Sequence, residues 1–376
     1  MRLEIAGRRV GAGAPVFAIA EIGLNHGGSL DRALAMVDAA AASGASAIKL
    51  QTIDADRLVL PQAPAPAHVK VPSLRAFFRS FELNWDAHKA VASRARRLGL
   101  AVMTTPFFEE AVPVLESLGF DAFKIASGDL TYDGLIAAAA RTGAPLVIST
   151  GMSELDEVRH AMEVARTAGA GGIGVLHCVS AYPTPVHDEN LRAISTLASA
   201  CGVPVGLSDH GRGLGSAVAA VALGADIYER HVVLGDDQEA IDRPVSSTPE
   251  EFAAIVEAMR QTRAALGDGV KACRPSEQPN RVPSRRGLYA ARPLPAGHVV
   301  RAGDFVALRP ASALPPQWSR DLVGLTLRRN LVEGDAFEEG DLIAARPKGG
   351  QSSTVSPAGR SPSASDGGGA SLGDLA

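Results

Sequence analysis

The chain has 376 residues, more than the roughly 250 of a typical barrel domain, which leaves room for a second, smaller unit. Its net charge of −4 and 21% of charged residues provide no basic field for nucleic acid or membrane, and no stretch reaches the roughly 18 to 20 apolar residues of a membrane span. Three scattered cysteines, Cys178, Cys201 and Cys273, and a start (MRLEIAGRRVGAGAP) without a signal-peptide core point to a soluble protein of the reducing cytoplasm.

Along the chain, eight short apolar runs each end in a polar residue. Glu21 closes VFAIAE, Lys49 and Gln51 close AIKLQ, Thr104 and Thr105 close LAVMTT, and Lys124 and Ser127 close AFKIAS. Ser149 and Thr150 close PLVIST, His177 and Ser180 close IGVLHCVS, Ser208 and His210 close VPVGLSDH, and Glu229 and His231 close ADIYERH. Runs this short, apolar on both faces and separated by helical stretches, are expected to be buried parallel strands, and eight of them predict a closed (β/α)8 TIM barrel. Active sites of such barrels lie at the carboxyl ends of the strands, so these polar residues are predicted to converge on one mouth.

Helices are predicted between the strands. One starts at Ser29 or Asp31 and stops at Gly44, one runs from Asn84 or Asp86 to Gly99, and others follow Ser153 and Thr248. The connection over residues 53–83 is long, Pro/Ala-rich and then amphipathic (LRAFFRSFEL), as expected of a lid over the mouth. The barrel domain is placed at residues 1–267 and a polar, proline-bearing linker at 268–283. A small β-rich domain follows at 284–345, from short runs such as LYAARPL, HVV and FVAL between turns. Residues 346–376, almost wholly Gly, Ser, Ala, Pro and Thr, are expected to be a disordered tail.

His210 and His231 end neighbouring strands, so two imidazoles should sit side by side; they either share a divalent cation or are two ordinary satisfied histidines. Lys49 and Lys124, with the hydroxyls of Thr105, Ser127, Ser149 and Ser208, make an anion site suited to a phosphorylated carboxylic acid, unless the lysines are taken up by Glu21 or Asp129. A lysine of depressed pKa could instead form a Schiff base. Glu21, Asp129 and Asp242 are candidate general acids or bases. The turn GRGLG (211–215) lacks the pattern of a phosphate loop and is expected to contribute amides to the anion site.

These residues carry a resemblance. AEIGLNHGG (20–28), IKLQT, TTPF, FKIASGD, STGMSELDEV, LHCVSAYPTP, GLSDH, ALGADIYERH, SRRGLYAARPLPAG and ALRPASAL, in this order, resemble the sialic acid synthase family. The resemblance implies a TIM-barrel synthase followed by a small antifreeze-like (SAF) domain, in a domain-swapped homodimer. It implies condensation of phosphoenolpyruvate with an N-acylated hexosamine aldehyde to a nine-carbon 2-keto acid, releasing phosphate. His210 and His231 would hold a divalent metal (manganese, magnesium or cobalt). Lys49, Thr105, Lys124, Ser127, Ser149, Ser180 and Ser208 would hold phosphoenolpyruvate; Gln51, Tyr182 and Asp242 would touch the sugar. Arg309, from the partner's small domain, would engage the sugar's N-acyl end.

Three positions depart from the family pattern. Asp129 replaces the usual glutamate of SGE, and Ser180 replaces an asparagine. Arg243 stands where a histidine is usual, in AIDRPVS; either its forked donor selects an acceptor with a second acylamino group, or it points to solvent and the acceptor is N-acetylmannosamine. Two rival functions are a Schiff-base pyruvate aldolase using Lys49 or Lys124 and a non-catalytic saccharide-binding protein.

Overall fold

A computed structural model describes residues 3–11, 13–64, 73–235, 237 and 239–343. It divides into two compact units, Met1–Gly269 and Val270–Ala376.

The first unit opens with an antiparallel hairpin, β1 (Leu3–Ile5) and β2 (Arg8–Val10). Eight parallel strands then close into a barrel: β3 (Phe17–Gly23), β4 (Ala47–Thr52), β5 (Ala101–Pro106), β6 (Ala122–Ile125), β7 (Leu146–Ser149), β8 (Ile173–Cys178), β9 (Val205–Asp209) and β10 (Ile227–His231). Each strand neighbours its successor, and β10 returns to β3 with His231 beside Glu21. The predicted TIM barrel is therefore the observed fold.

The twofold alternation of strands sorts the barrel into two cores. Ala18, Ala20 and Ile22 of β3, with Ile48 and Leu50 of β4, face outward and pack under the helices. Phe17, Ile19, Ala47, Ala101, Met103, Ala122, Val147, Leu176 and Ile227 face inward at the amino-terminal end, where Leu3, Ile5 and Val10 of the hairpin plug the floor. Further along, the same inward phase passes from apolar to polar side chains. Inward polar residues thus stand on a dry, filled base.

The helices begin where capping chemistry places them. Ser29 accepts from the Arg32 amide ahead of Leu30–Ala42, Asn84 from the Ala87 amide ahead of Trp85–Arg97, and Thr248 and Glu251 form a reciprocal capping box on Pro249–Leu266. Within the long connection, helices Ala55–Leu58 and Leu74–Arg79 bring Leu58, Leu74 and Phe77 onto Leu24, Ile53 and Phe107. The Pro/Ala-rich part of the expected lid, residues 65–72, lies outside the described residues, as does the expected tail.

In the second unit, the stretch expected to be a linker contains the helix Gln278–Ser284. Short strands follow: β11 (Gly287–Ala290) pairs with β12 (Phe305–Leu308), and β13 (Thr326–Leu327) with β14 (Leu342–Ile343). Their core is Leu288, Leu294, Val300, Leu314, Leu322, Leu327, Leu331 and Phe337. The run HVV makes a single bridge, Val299 to Thr326, rather than a strand.

Candidate active site

Strand register assembles the mouth. Glu21 lies beside Lys49, Gln51 beside Thr105, and Cys178 beside Ser208, so side chains from separate strands meet at one height. All of these except Glu21 line a cavity of about 480 Å3 with Lys124, Ser127, Ser149, Ser180, Tyr182, Glu229, His210, His231 and Asp242. Three strand-end residues expected there face away. Thr104 Oγ1 lies 2.7 Å from Thr52 Oγ1, Thr150 donates to the Leu176 carbonyl, and His177 Nε2 lies 2.7 Å from the Glu189 carbonyl. Each stands one residue out of phase with the inward set, and a run apolar on both faces does not reveal that phase.

Both lysines are almost fully buried and neither is alone. Lys49 forms an ion pair with Glu21, donates to Thr105 Oγ1 at 3.1 Å, and lies 3.7 Å from Glu229. Lys124 donates to Glu229 Oε1 at 3.0 Å, an oxygen that also accepts from Ser208. The alternative in which the lysines meet carboxylates thus holds for Lys49 and Glu21, whereas Lys124 takes Glu229, not Asp129. Burial opposes charge on both lysines; Glu21 and Glu229 more than offset it at Lys49, whose pKa is raised. At Lys124 burial prevails, helped by repulsion from Lys49, and the pKa is lowered. Glu229 is brought down to about 2, because the two ammonium groups outweigh its burial.

Glu21 sits behind the lining. One oxygen holds Lys49, the other accepts from the Gly23 amide at 2.5 Å, and both interactions fix it as a support. Gly23 follows a register shift in β3 and has φ +41°. A Cβ there would lie 3.1 Å from Glu21 Oε1 and 3.2 Å from both Asp242 Oδ2 and His231 Nδ1, so a side chain at this positive φ would be strained and would crowd all three.

Opposite, Gly151 donates its amide to Ser127 Oγ at 2.9 Å, and a Cβ on it would fall 2.3 Å from Ser180 Oγ. Ser149 Oγ is buried, borders the cavity and has no hydrogen-bond partner among the described residues. A buried hydroxyl left unpaired in a polar cavity is available to bond a ligand or a water. Asp129 stays outside the lining, in the short turn Ser127–Asp129; burial raises its carboxyl to about 6, and its Oδ2 has no hydrogen-bond partner.

His210 and His231 have ring centres 5.5 Å apart, and Tyr182 lies 4.2 Å from His210. His210 Nδ1 faces the Val179 carbonyl at 3.1 Å, which fixes that proton and leaves Nε2 as a lone-pair donor. Burial, reinforced by His231, lowers its pKa to about 4, so it is neutral. His231 Nδ1 lies 3.3 Å from Asp242 Oδ2; burial opposes its charge, Asp242 restores it, and the pKa is raised. Among the described residues no group of three or more His, Cys, Asp and Glu could encage a metal. The donor set suits an open site of two imidazoles, with other positions left to water and substrate.

Sequence reasoning missed several contributors. Glu229 was seen as a strand end but not as the carboxylate shared by both lysines. Asn25 donates to the Val232 carbonyl at 2.7 Å and to Ser246 Oγ at 2.9 Å, and accepts from the Asp242 amide at 3.0 Å, pinning the loop that carries Asp242. Phe78, Phe107 and Met152 add apolar walls. Arg243 is not among the residues that line the mouth and borders a separate cavity. Arg309 is exposed on the second unit.

A parallel barrel with paired lysines, hydroxyls and two imidazoles at its carboxyl end belongs to the class of enzymes that act on small anionic substrates. The comparisons narrow that class. Residues 36–271 match the NeuB family and residues 285–348 the SAF domain. The chain is 34% identical to the N,N'-diacetyllegionaminic acid synthase of Campylobacter jejuni, covering 85% of this chain and 98% of that one. It is 33% identical to a pseudaminic acid synthase of the same species, over 87% and 96% of the two chains. The crystal structure of the N-acetylneuraminic acid synthetase of Leptospira borgpetersenii superposes with a TM-score of 0.68 at 32% identity, covering 74% of this chain and 95% of that one. The chain belongs to the NeuB family and is a sialic-acid-synthase-like enzyme with a SAF domain.

Proposed function

We propose that this protein condenses phosphoenolpyruvate with an N-acylated hexosamine aldehyde, giving a nine-carbon sialic-acid-type 2-keto sugar acid and phosphate. The observation that carries this reading is the anion cradle: two buried lysines, convergent hydroxyls and the unpartnered Ser149 Oγ in one cavity. Lys49 and Lys124 neutralise the carboxylate and phosphate, and Ser127, Ser149, Ser180, Ser208 and Thr105 supply directional donors. Gln51, Tyr182 and Asp242, which line the same cavity, orient the sugar.

His210 and His231 hold a divalent cation (manganese, magnesium or cobalt), which supplies polarisation of the acceptor aldehyde when bound. The Val179 carbonyl fixes the tautomer of His210, and Asp242, 3.3 Å from His231 Nδ1, favours a proton on that nitrogen. C3 of phosphoenolpyruvate attacks the aldehyde, water adds at C2, and phosphate leaves with C–O cleavage. Asp129, held near 6 by burial, is suited to move the water's protons, with Glu21 as its structural counterpart beneath Lys49.

Phosphate release from phosphoenolpyruvate, assayed with N-acetylmannosamine and with 2,4-diacetamido-2,4,6-trideoxyhexoses, tests the reading and selects the acceptor. Verified metal-free protein should be inactive and recover with added cation; full activity without metal would end the proposed role of the histidines. The lowered pKa of Lys124 favours one rival, a Schiff-base aldolase. Borohydride trapping with pyruvate decides between them, since the condensation leaves no lysine adduct.

A further inference from the structure

A second cavity, of about 430 Å3, opens between the loops that follow β9 and β10 and shares no lining residue with the mouth. Three arginines border it: Arg212, Arg230 and Arg243. Arg230 is the unexpected one. On β10 Glu229 and His231 point into the barrel, so Arg230 points outward, beneath the helices, where apolar residues are usual; it is 4% exposed. A guanidinium is buried there only if something organises it.

The organiser is a polar network around Arg230. Its Nε donates to Ser247 Oγ at 2.7 Å, and its Nη1 lies 2.9 Å from Asp209 Oδ2 without meeting hydrogen-bond geometry. Asp209 is itself shared, since Oδ2 accepts from Tyr228 at 2.6 Å and Oδ1 from the Gly211 amide at 2.8 Å. The carboxylate of Glu251, also in the lining, accepts from the Thr248 amide in the capping box of its own helix. Gly213 and Leu214 lead into the helix Gly215–Ala222, whose first turn has no side-chain cap. Three guanidinium side chains, one of them held in place by burial, therefore border one space, while Leu214, Pro244 and Ile255 give it an apolar wall.

We infer that this cavity is a phosphate-binding site, distinct from the mouth, that takes inorganic phosphate or a small phosphate monoester. The loops after the seventh and eighth strands are where barrels commonly hold phosphate. The site does not depend on the reaction proposed above. It adjoins that reaction through one loop, because Ser246 of the lining donates to the Asp242 carbonyl at 2.7 Å.

Dicarbonyl labelling of Arg212 in the full chain, located by peptide mass spectrometry, reads the site directly, with exposed Arg320 as control. Inorganic phosphate at ten times its Kd should slow labelling at Arg212 by about tenfold and leave Arg320 unchanged. Glucosamine 6-phosphate distinguishes the sources: protection at lower concentration than inorganic phosphate assigns a monoester held by the apolar wall, and equal protection assigns phosphate alone. Arg230→Lys, which keeps the charge and loses the fork, should weaken protection. Protection should persist in Lys49→Met, whose mouth is impaired. Its loss there, or unchanged labelling of Arg212 in the parent protein, would overturn the site.

Discussion

Glu229 is the residue on which both mouth lysines depend, and its neighbours come from three other strands: Lys49, Lys124 and Ser208. Removing one partner of a buried ion pair leaves the other charge uncompensated, so Glu229→Gln should destabilise the fold by about 3 kcal/mol or more in urea denaturation. Loss of activity without loss of stability would show that the lysines are held otherwise. Asp129 has the opposite character. Burial raises its carboxyl from 3.8 to about 6, so the folded state retains the proton more tightly than the unfolded chain. Its ionisation therefore opposes folding, beginning as pH rises through 3.8 and reaching its full effect above about 6, at most about 3 kcal/mol. Asp129→Asn should accordingly be more stable than the parent at pH 8 and match it near pH 3; equal urea midpoints at both pH values would refute the shift. The strand-end polar residues were legible because each closes an apolar run. The pairing of Glu229 was not, because a carboxylate's partners across a barrel leave no local trace.

Elements divide along the same line. All eight barrel strands and the starts of the helices at Leu30, Trp85 and Pro249 were legible, since apolar runs and caps such as Ser29, Asn84 and Thr248 are local signals. The hairpin β1–β2 was not seen. Its strands of three residues each are too short for an alternation to stand out, and its significance lies in an apolar cluster shared with residues of seven later strands. It fills the floor below the polar layer, and Ile5 is completely buried there. Ile5→Ala should remove about 2–4 kcal/mol of stability through lost burial and the cavity left behind. The kinetic constants of the folded fraction should hold, because Met103, Val147 and Leu176 lie in the intervening layer. A large KM change at full folding would mean that the floor communicates with the mouth.

At the scale of the molecule, the two units have separate cores, and the second supplies the only site residue proposed from outside the barrel. Its β-rich character was legible in composition, but its strands are shorter than the runs suggested, because turns and bridges carry most of the backbone pairing around Phe337. Arg309 is exposed on that unit, preceding Pro310 in ALRPAS, and we propose that it serves the mouth of the partner subunit in a domain-swapped homodimer. The arrangement has a consequence that no single-chain arrangement shares. Arg309→Ala and His231→Ala homodimers should each be nearly inactive, one lacking the sugar contact in both mouths and the other lacking a metal ligand in both. When the two proteins are mixed and their subunits exchange, half the dimers are mixed, and in each of these one mouth combines an intact His231 with an intact Arg309 from its neighbour. The mixture should therefore recover about a quarter of parental activity per mouth. Were Arg309 to act within its own chain, every mouth in the mixed dimer would lack one residue or the other, and exchange would restore nothing. Native mass spectrometry of the mixture, showing heterodimers at the expected fraction, makes absent recovery decisive against the swapped arrangement.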